Sequence, residues 1–417
     1  MAARLCERAV NPVIGDTGLC HHDVFSNFSR VRLASAASLR MAQPANPERS
    51  VPIILDWLGV RVPQIYYCHP SYYRQRWAHA LRTQLCDLAH WATTSPDVKF
   101  PLELPLPTAS EEYFEYVDVL EAVVDYARSP SAERRPFVML ELGAGFGFWT
   151  LTAHAALQQL RPSASYEYVM VEVDRDKQGV LGMMLDYNQV SRDHAVRVHA
   201  AVGDRDEAEG VLQNGIPGMY AVHACDPAHA EYAARACKTK GFLVPRHLRN
   251  KTNMDMRNGQ GQAVDLISLP TLLKNFARVD MIDLDIQGSE WPLFGIHAEK
   301  TDSDEEASMP PSVSRLMALL DEKVLRVHIG THGTANKSIP PEVRPPYGPL
   351  EAALVRRFVS RGWEPTWTVG VTNGACNDAV LQKAGETRKH FRSTRWGPVC
   401  MADGAFGFLN SRLRARQ

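Results

Sequence analysis

The sequence predicts an α/β protein, a doubly wound sheet with an N-terminal helical cover. Three observations carry this expectation. Short apolar runs alternate with helix-like segments from Phe137 to Ile329, the pattern of a parallel sheet with helical crossovers. The first run, Phe137 to Leu140, passes through a glycine-rich turn into a helix-like segment, Phe148 to Leu160. Acids stand at the ends of the first, second and fourth predicted strands, Glu141, Glu172 and Asp285, where open α/β sheets bind their ligands.

Length and composition set the bounds. A chain of 417 residues holds one large or two ordinary domains. With 46 basic against 47 acidic residues, charge is balanced, which argues against a general nucleic-acid or membrane-surface partner. The eight cysteines (6, 20, 68, 86, 225, 237, 376 and 400) form no C-x-x-C pair, so reduced thiols and a cytoplasmic setting are expected. Residues 137–157 are apolar enough to suggest a membrane span, but Glu141, the glycines and His154 favour a buried strand and helix.

In chain order, residues 1–50 read as a loosely ordered tail. The arginines at 30, 32 and 40 resemble an organelle-targeting segment, a pattern spoiled by Glu7, Asp16 and Asp23. Cys20-His21-His22-Asp23 looks metal-like, yet four adjacent residues rarely close around one ion. Residues 51–135 read as a helical region. It contains Tyr72 to Trp91 and a helix from Ser110 to Ala127 with Tyr113, Tyr116, Val117, Leu120 and Val124 on one face. The main domain, 136–417, continues with strands Tyr166 to Val173, Ala195 to Val202, Val279 to Asp285 and Val324 to Ile329. Helices are expected at Asp176 to Gln189, Val313 to Glu322 and Leu350 to Arg361, with closing strands at Trp363 to Val371 and Val399 to Leu409. The stretch 203–278 reads as a long irregular insert, a lid or binding loop.

The glycine spacing selects among ligands. A dinucleotide fingerprint needs its third glycine at position 148, but Phe148 stands there and the glycines fall at 143, 145 and 147. Glu141 just before the turn suits a cation, and S-adenosylmethionine carries an ammonium and a sulfonium. A tight strand-to-helix turn without a ligand is the plain alternative. Glu172 at the end of the second strand is placed to accept the ribose hydroxyls, while Ala201, Val202 and Asp204 end the third strand, where an adenine edge would lie. In Asp280-Met-Ile-Asp-Leu-Asp-Ile-Gln-Gly-Ser-Glu290, the acids Asp283 and Asp285 share a face, and burying them calls for polar partners. Glu290 also fits as a first-turn acid. His332, just past the fifth strand, suits a general base, whereas His328 within it reads as a satisfied core histidine.

Glu141-Leu-Gly-Ala-Gly-Phe-Gly, Glu172, Asp285-Ile-Gln-Gly-Ser-Glu290 and His328-Ile-Gly-Thr-His332 together resemble the FkbM-type methyltransferases. Glu112-Tyr-Phe-Glu-Tyr-Val-Asp118 and Asp403-Gly-Ala-Phe-Gly-Phe-Leu-Asn410 extend the resemblance. It implies a class I, S-adenosylmethionine-dependent, Rossmann-like fold and O-methylation of a small molecule or sugar. It also implies a donor cradle from Glu141, Gly143, Ala144, Gly145, Phe146 and Gly147, with Glu172 and Val173 at the ribose. Asp285, Gln287 and Glu290 would line the transfer site. The chain departs from the family at Asp283, where many relatives carry lysine, at Pro270, and in the longer segment Asn373 to Gly397. The rivals are a nicotinamide oxidoreductase, which lacks its glycine register, and a non-catalytic module that binds S-adenosylmethionine. No resident metal is expected, although Asp283, Asp285 and Glu290 offer oxygens that magnesium accepts.

Overall fold

The computed structural model describes residues 10–11, 15–16, 23–33, 53–63, 102–103, 106–107, 111–173, 175–203, 207–212, 243–244, 262–286, 289–296, 309–331, 347–369, 392–394, 397–399 and 404–415. Its main sheet has seven strands: β1 (Phe137–Leu142), β2 (Tyr166–Val171), β3 (Ala195–Val198), β4 (Val279–Leu284), β5 (Val324–Thr331), β6 (Trp363–Val369) and β7 (Gly404–Asn410). Their spatial order is β6-β7-β5-β4-β1-β2-β3. The pairings from β5 across to β3 are parallel, and β7 runs antiparallel to both of its neighbours. The chain steps outward from β1 to β3, then returns to place β4 on the other side of β1. That reversal opens a crevice at the carboxyl ends of β1 and β4, the switch point where such sheets take ligands.

Five longer helices are α1 (Glu111–Arg128), α2 (Phe148–Leu160), α3 (Arg175–Tyr187), α4 (Pro311–Lys323) and α5 (Tyr347–Val359). Two apolar layers sandwich the sheet. Phe137, Met139, Tyr168, Met170 and Met281 join a core shared with α1, α2 and α3. Val138, Leu140, Leu142, Ile282, Leu284, Val327 and Ile329 join the other, shared with α4 and α5. Strands β1, β4 and β5 are buried along their whole length. Their near-continuous apolar sequence is what two covered faces require.

The α1 helix presents the expected apolar face, with Tyr113, Tyr116, Val117, Leu120 and Val124 all buried. A second face, spaced i, i+3 and i+7, carries Asp118, Glu121 and Asp125. These acids meet Arg326 of β5, which is 2% exposed, at 3.1, 2.8 and 3.2 Å. Asp118 also accepts hydrogen bonds from His328 Nδ1 at 2.7 Å, Thr366 Oγ1 at 3.0 Å and Trp367 Nε1 at 3.1 Å. A buried charge is tolerated when it is paired and hydrogen-bonded, and this carboxylate is both. Gly407 of β7 makes the contact possible. A methyl group there would run into the Thr366 hydroxyl and the Asp118 carboxylate, and would come within 2.7 Å of Trp367 Cδ1.

Two expectations are corrected. The single third strand, Ala195 to Val202, is broken at His199, which lies 3.0 Å from the Val173 carbonyl through Nε2. Ala200–Gly203 then pairs in parallel with Gln262–Ser268. These join Glu207–Leu212 and Leu243–Val244 in a separate four-stranded sheet, so the insert expected to be irregular contains strands. Their pairing spans more than fifty residues of chain, which local composition does not report. Among the described residues, no helix is long and apolar enough to cross a membrane. Of the N-terminal region, the Tyr72 to Trp91 helix and Cys20-His21-His22 lie outside the described residues.

Gly407→Ala is expected to destabilise the fold by about 2–3 kcal/mol, the cost of overpacking a filled site. Urea unfolding checks this, and a midpoint unchanged from the parent protein would contradict the Asp118 arrangement.

Candidate active site

The turn leaving β1 has three glycines in the left-handed region, at φ values of 86°, 53° and 75° for Gly143, Gly145 and Gly147. Their reasons differ. A side chain on Gly143 would strike the Asp285 carbonyl, so this glycine lets the end of β4 close against the turn. One on Gly147, at the start of α2, would enter Leu181 of α3. Among the described residues, a side chain on Gly145 would have only the Gly143 carbonyl oxygen nearby, at 4.0 Å, so it would point into open space. Close backbone approach to a ligand is thus available at one glycine of the three. Ala144 and Phe146, between them, are buried.

Glu172 follows β2 and is 4% exposed. Its Oε2 accepts the Gly145 N–H at 2.7 Å, which ties the open glycine to the end of β2. Val173 comes next, and Ala201 and Val202 are buried in the strand that packs beside β2. Glu141 has a different setting from the cation cradle expected of it. Its carboxylate accepts the Trp149 and Thr150 amides at 3.2 and 2.9 Å, so it caps the first turn of α2, where backbone donors have no helical partner. Burial raises its pKa to about 7, and the charge of Asp285 adds to the rise.

Glu141, Asp283 and His328 are in register across β1, β4 and β5. They form a polar row on the α1 side of the sheet, one residue inside the carboxyl ends of β1 and β4. His328 is a satisfied core histidine, held by Asp118. Asp283 is 1% exposed, and its Oδ1 has no hydrogen-bond partner among the described residues. Burial pushes its pKa well above the ordinary carboxyl range, and Glu141, Asp285 and Asp118 push it further. The other acid on the strand shows the contrast. Asp280 is clamped by both guanidinium nitrogens of Arg135 at 2.7 Å and accepts the Val138 amide at 3.0 Å.

Asp285 lies just past β4, half-buried at the crevice, with its amide bonded to the Leu142 carbonyl at 2.9 Å. Glu290, fully buried, opens a short helix and turns back to accept the Ile286 amide at 2.9 Å. It closes the 286–290 turn, consistent with the first-turn role. Gln287, His332 and Asp204 lie outside the described residues. The residue that sequence reasoning missed is Asp118, which fixes His328 and faces Asp283. Its signal was present as an acidic stripe on α1 opposite a lone arginine, Arg326, within an apolar strand.

A sheet in the order described, with an antiparallel seventh strand beside the fifth and an acid-tipped crevice at its switch point, is the Rossmann-like fold of the class I methyltransferases. Residues 141–309 match the family model described as Methyltransferase FkbM domain, a family that takes its methyl group from S-adenosylmethionine. No curated protein sequence matches the chain. Solved structures are similar at low identity. The N-terminal domain of human METTL16 in complex with SAH is 12% identical, covering 79% of this chain and 82% of that one with a TM-score of 0.32. Magnesium protoporphyrin IX methyltransferase (ChlM) from Synechocystis PCC 6803, with bound SAM, is 8% identical, with coverage of 71% and 79% and a TM-score of 0.28. Methyltransferase FkbM from Methylobacillus flagellatus KT is 11% identical, with coverage of 70% and 54% and a TM-score of 0.29.

The raised carboxyl pKa values have a stability consequence. Between the ordinary value of 4.5 and about 7, the folded protein holds a proton on Glu141 that the unfolded chain has released. Stability therefore falls as pH rises through that window. The thermal midpoint is expected to drop over this range, and Glu141→Gln is expected to flatten the dependence. A midpoint that rises with pH would contradict the assignment.

Proposed function

We propose that this protein transfers a methyl group from S-adenosylmethionine to a hydroxyl oxygen of a small molecule or sugar. The observation that carries the donor site is the Glu172 carboxylate bonded to the amide of Gly145, the one glycine of the three with open space beside it among the described residues. The residues fit the donor in kind as well as in place. Glu172 and Asp285 supply negative charge around the ends of β2 and β4, and the donor is a cation. Glu172 binds the ribose hydroxyls, Gly145 passes against the methionine end, and Ala201 and Val202 border the adenine.

The bound donor supplies an activated methyl group. The protein's task is then to align oxygen, carbon and sulfur and to keep water out. A carboxylate pressed against the sulfonium would favour the ground state, because that charge disappears during transfer. Asp285 therefore orients the acceptor or the donor amine, with Gln287 and Glu290 lining the same end. His332 removes the hydroxyl proton, a contribution of about a hundredfold or more. Balanced net charge supports a small neutral or carbohydrate acceptor over nucleic acid or a membrane surface, and the cysteine usage supports a cytoplasmic setting.

The test is transfer of a labelled methyl group from S-adenosylmethionine to a panel of sugar and small-molecule hydroxyls, with mass spectrometry to locate the methylated atom. Glu172→Ala is expected to weaken donor binding about tenfold or more, the loss of charge-assisted hydrogen bonds. His332→Ala is expected to lower kcat about a hundredfold while donor affinity changes little. Unchanged donor affinity in the first variant would remove the ribose assignment, and label found only on nitrogen or carbon would remove O-methylation.

A further inference from the structure

The acid at position 283 is costly where it stands. It is 1% exposed on a central strand, and among the described residues its Oδ1 is unpartnered and no cation clamps it as Arg135 clamps Asp280. The groups facing it are mostly acids: Glu141 from β1, Asp285 beyond its own strand end and Asp118 from α1. On β5, His328 stands in register with it, and Arg326 lies two residues earlier. Both of those side chains are already bonded to Asp118, and Arg326 also meets Glu121 and Asp125. The orphaned carboxyl therefore has no cation of its own within the described residues. Its position, beside the β1–β4 switch point, adjoins the crevice where a cationic donor would lie.

We infer that Asp283 releases a proton when S-adenosylmethionine binds and regains one when the sulfonium charge is lost. This rests on the donor reading above. Before binding, burial together with a neighbourhood of acids keeps the proton on Asp283, consistent with the direction in which its pKa is displaced. The bound cation supplies the missing opposite charge and favours the ionised form. Transfer breaks the carbon–sulfur bond with its electron pair left on sulfur, forms the carbon–oxygen bond and frees the acceptor's hydroxyl proton. The product sulfur is neutral, so the Asp283 carboxylate regains a proton from solvent, while the hydroxyl proton goes to His332. Asp283 is thus a positioning residue that acts through charge.

Calorimetry of the full chain tests this, with S-adenosylmethionine and S-adenosylhomocysteine titrated separately in buffers of different ionisation enthalpy. Close to one proton is expected to leave on binding the sulfonium ligand, so that its affinity rises about tenfold per pH unit below the Asp283 pKa. The thioether ligand is expected to release fewer. Asp283→Asn is expected to bind both ligands with no difference in proton count. Its thermal midpoint should equal or exceed that of the parent, because a neutral amide replaces an unpaired buried acid. Equal proton release by the two ligands in the parent protein would overturn the inference without any variant. So would a difference that survives in Asp283→Asn, or a lowered midpoint in that variant. Absence of binding heat and of saturable competition for both ligands would instead overturn the donor reading itself.

Discussion

Charge placed in the middle of a sheet has to be answered from the layer that covers it, and α1 is that layer. Arg326 and His328 stand at alternate positions on β5, and Asp118 reaches both while also accepting from Thr366 and Trp367. One carboxylate thereby ties α1 to β5 and β6, through the space left by Gly407 of β7. The helix is held by its apolar face, but its rotation and register are set by these bonds. A neighbouring face of α1 has Tyr116 edge-on to Trp149 at 5.0 Å, so α2 is aligned by the same helix. The glycine turn before α2 inherits its position from both.

The three glycines of that turn solve separate problems of clearance. Gly143 makes room for the backbone of β4 and Gly147 for a leucine of α3, so two of the three serve the packing of the protein on itself. Of the three, Gly145 alone leaves its surroundings open among the described residues, and the Glu172 carboxylate is bonded to its amide. A motif read as uniformly ligand-directed is therefore mostly architectural. Glu141 follows the same rule, since it holds the first amides of α2. The effect on a ligand is indirect but strong, because the turn can present Gly145 only if its two ends are fixed.

Much of this was legible in the sequence. The helix Phe148–Leu160 falls where its periodicity places it, and β1, β4 and β5 follow from apolar runs that only a doubly covered strand can carry. The apolar face of α1 was equally plain. What stayed hidden depends on partners far along the chain. Asp118, Glu121 and Asp125 look like a solvated helix face until Arg326, about two hundred residues later, is found opposite them. The break at His199 and the second sheet depend on pairing between Ala200–Gly203 and Gln262–Ser268, which neither segment announces alone. Within the site, the positions of Glu172 and Asp285 at strand ends were readable from spacing. The division between Asp280, paired with Arg135, and Asp283, whose Oδ1 has no partner among the described residues, was not, because both are acids in an apolar strand and differ only in what the fold brings to them.

That division bears on how a cation can be both bound and consumed. A permanently ionised carboxylate beside the donor would deepen the ground state and raise the barrier as the positive charge vanishes. A carboxyl that must first lose a proton binds the cation less tightly, since ionisation offsets part of the attraction. As the charge on sulfur fades, the proton affinity of the same carboxyl returns. The acids around Asp283 set the balance between these states, and Asp118 sets it from outside the crevice. Helix α1 thus governs the electrostatics of the site as well as the docking of the layer that contains it.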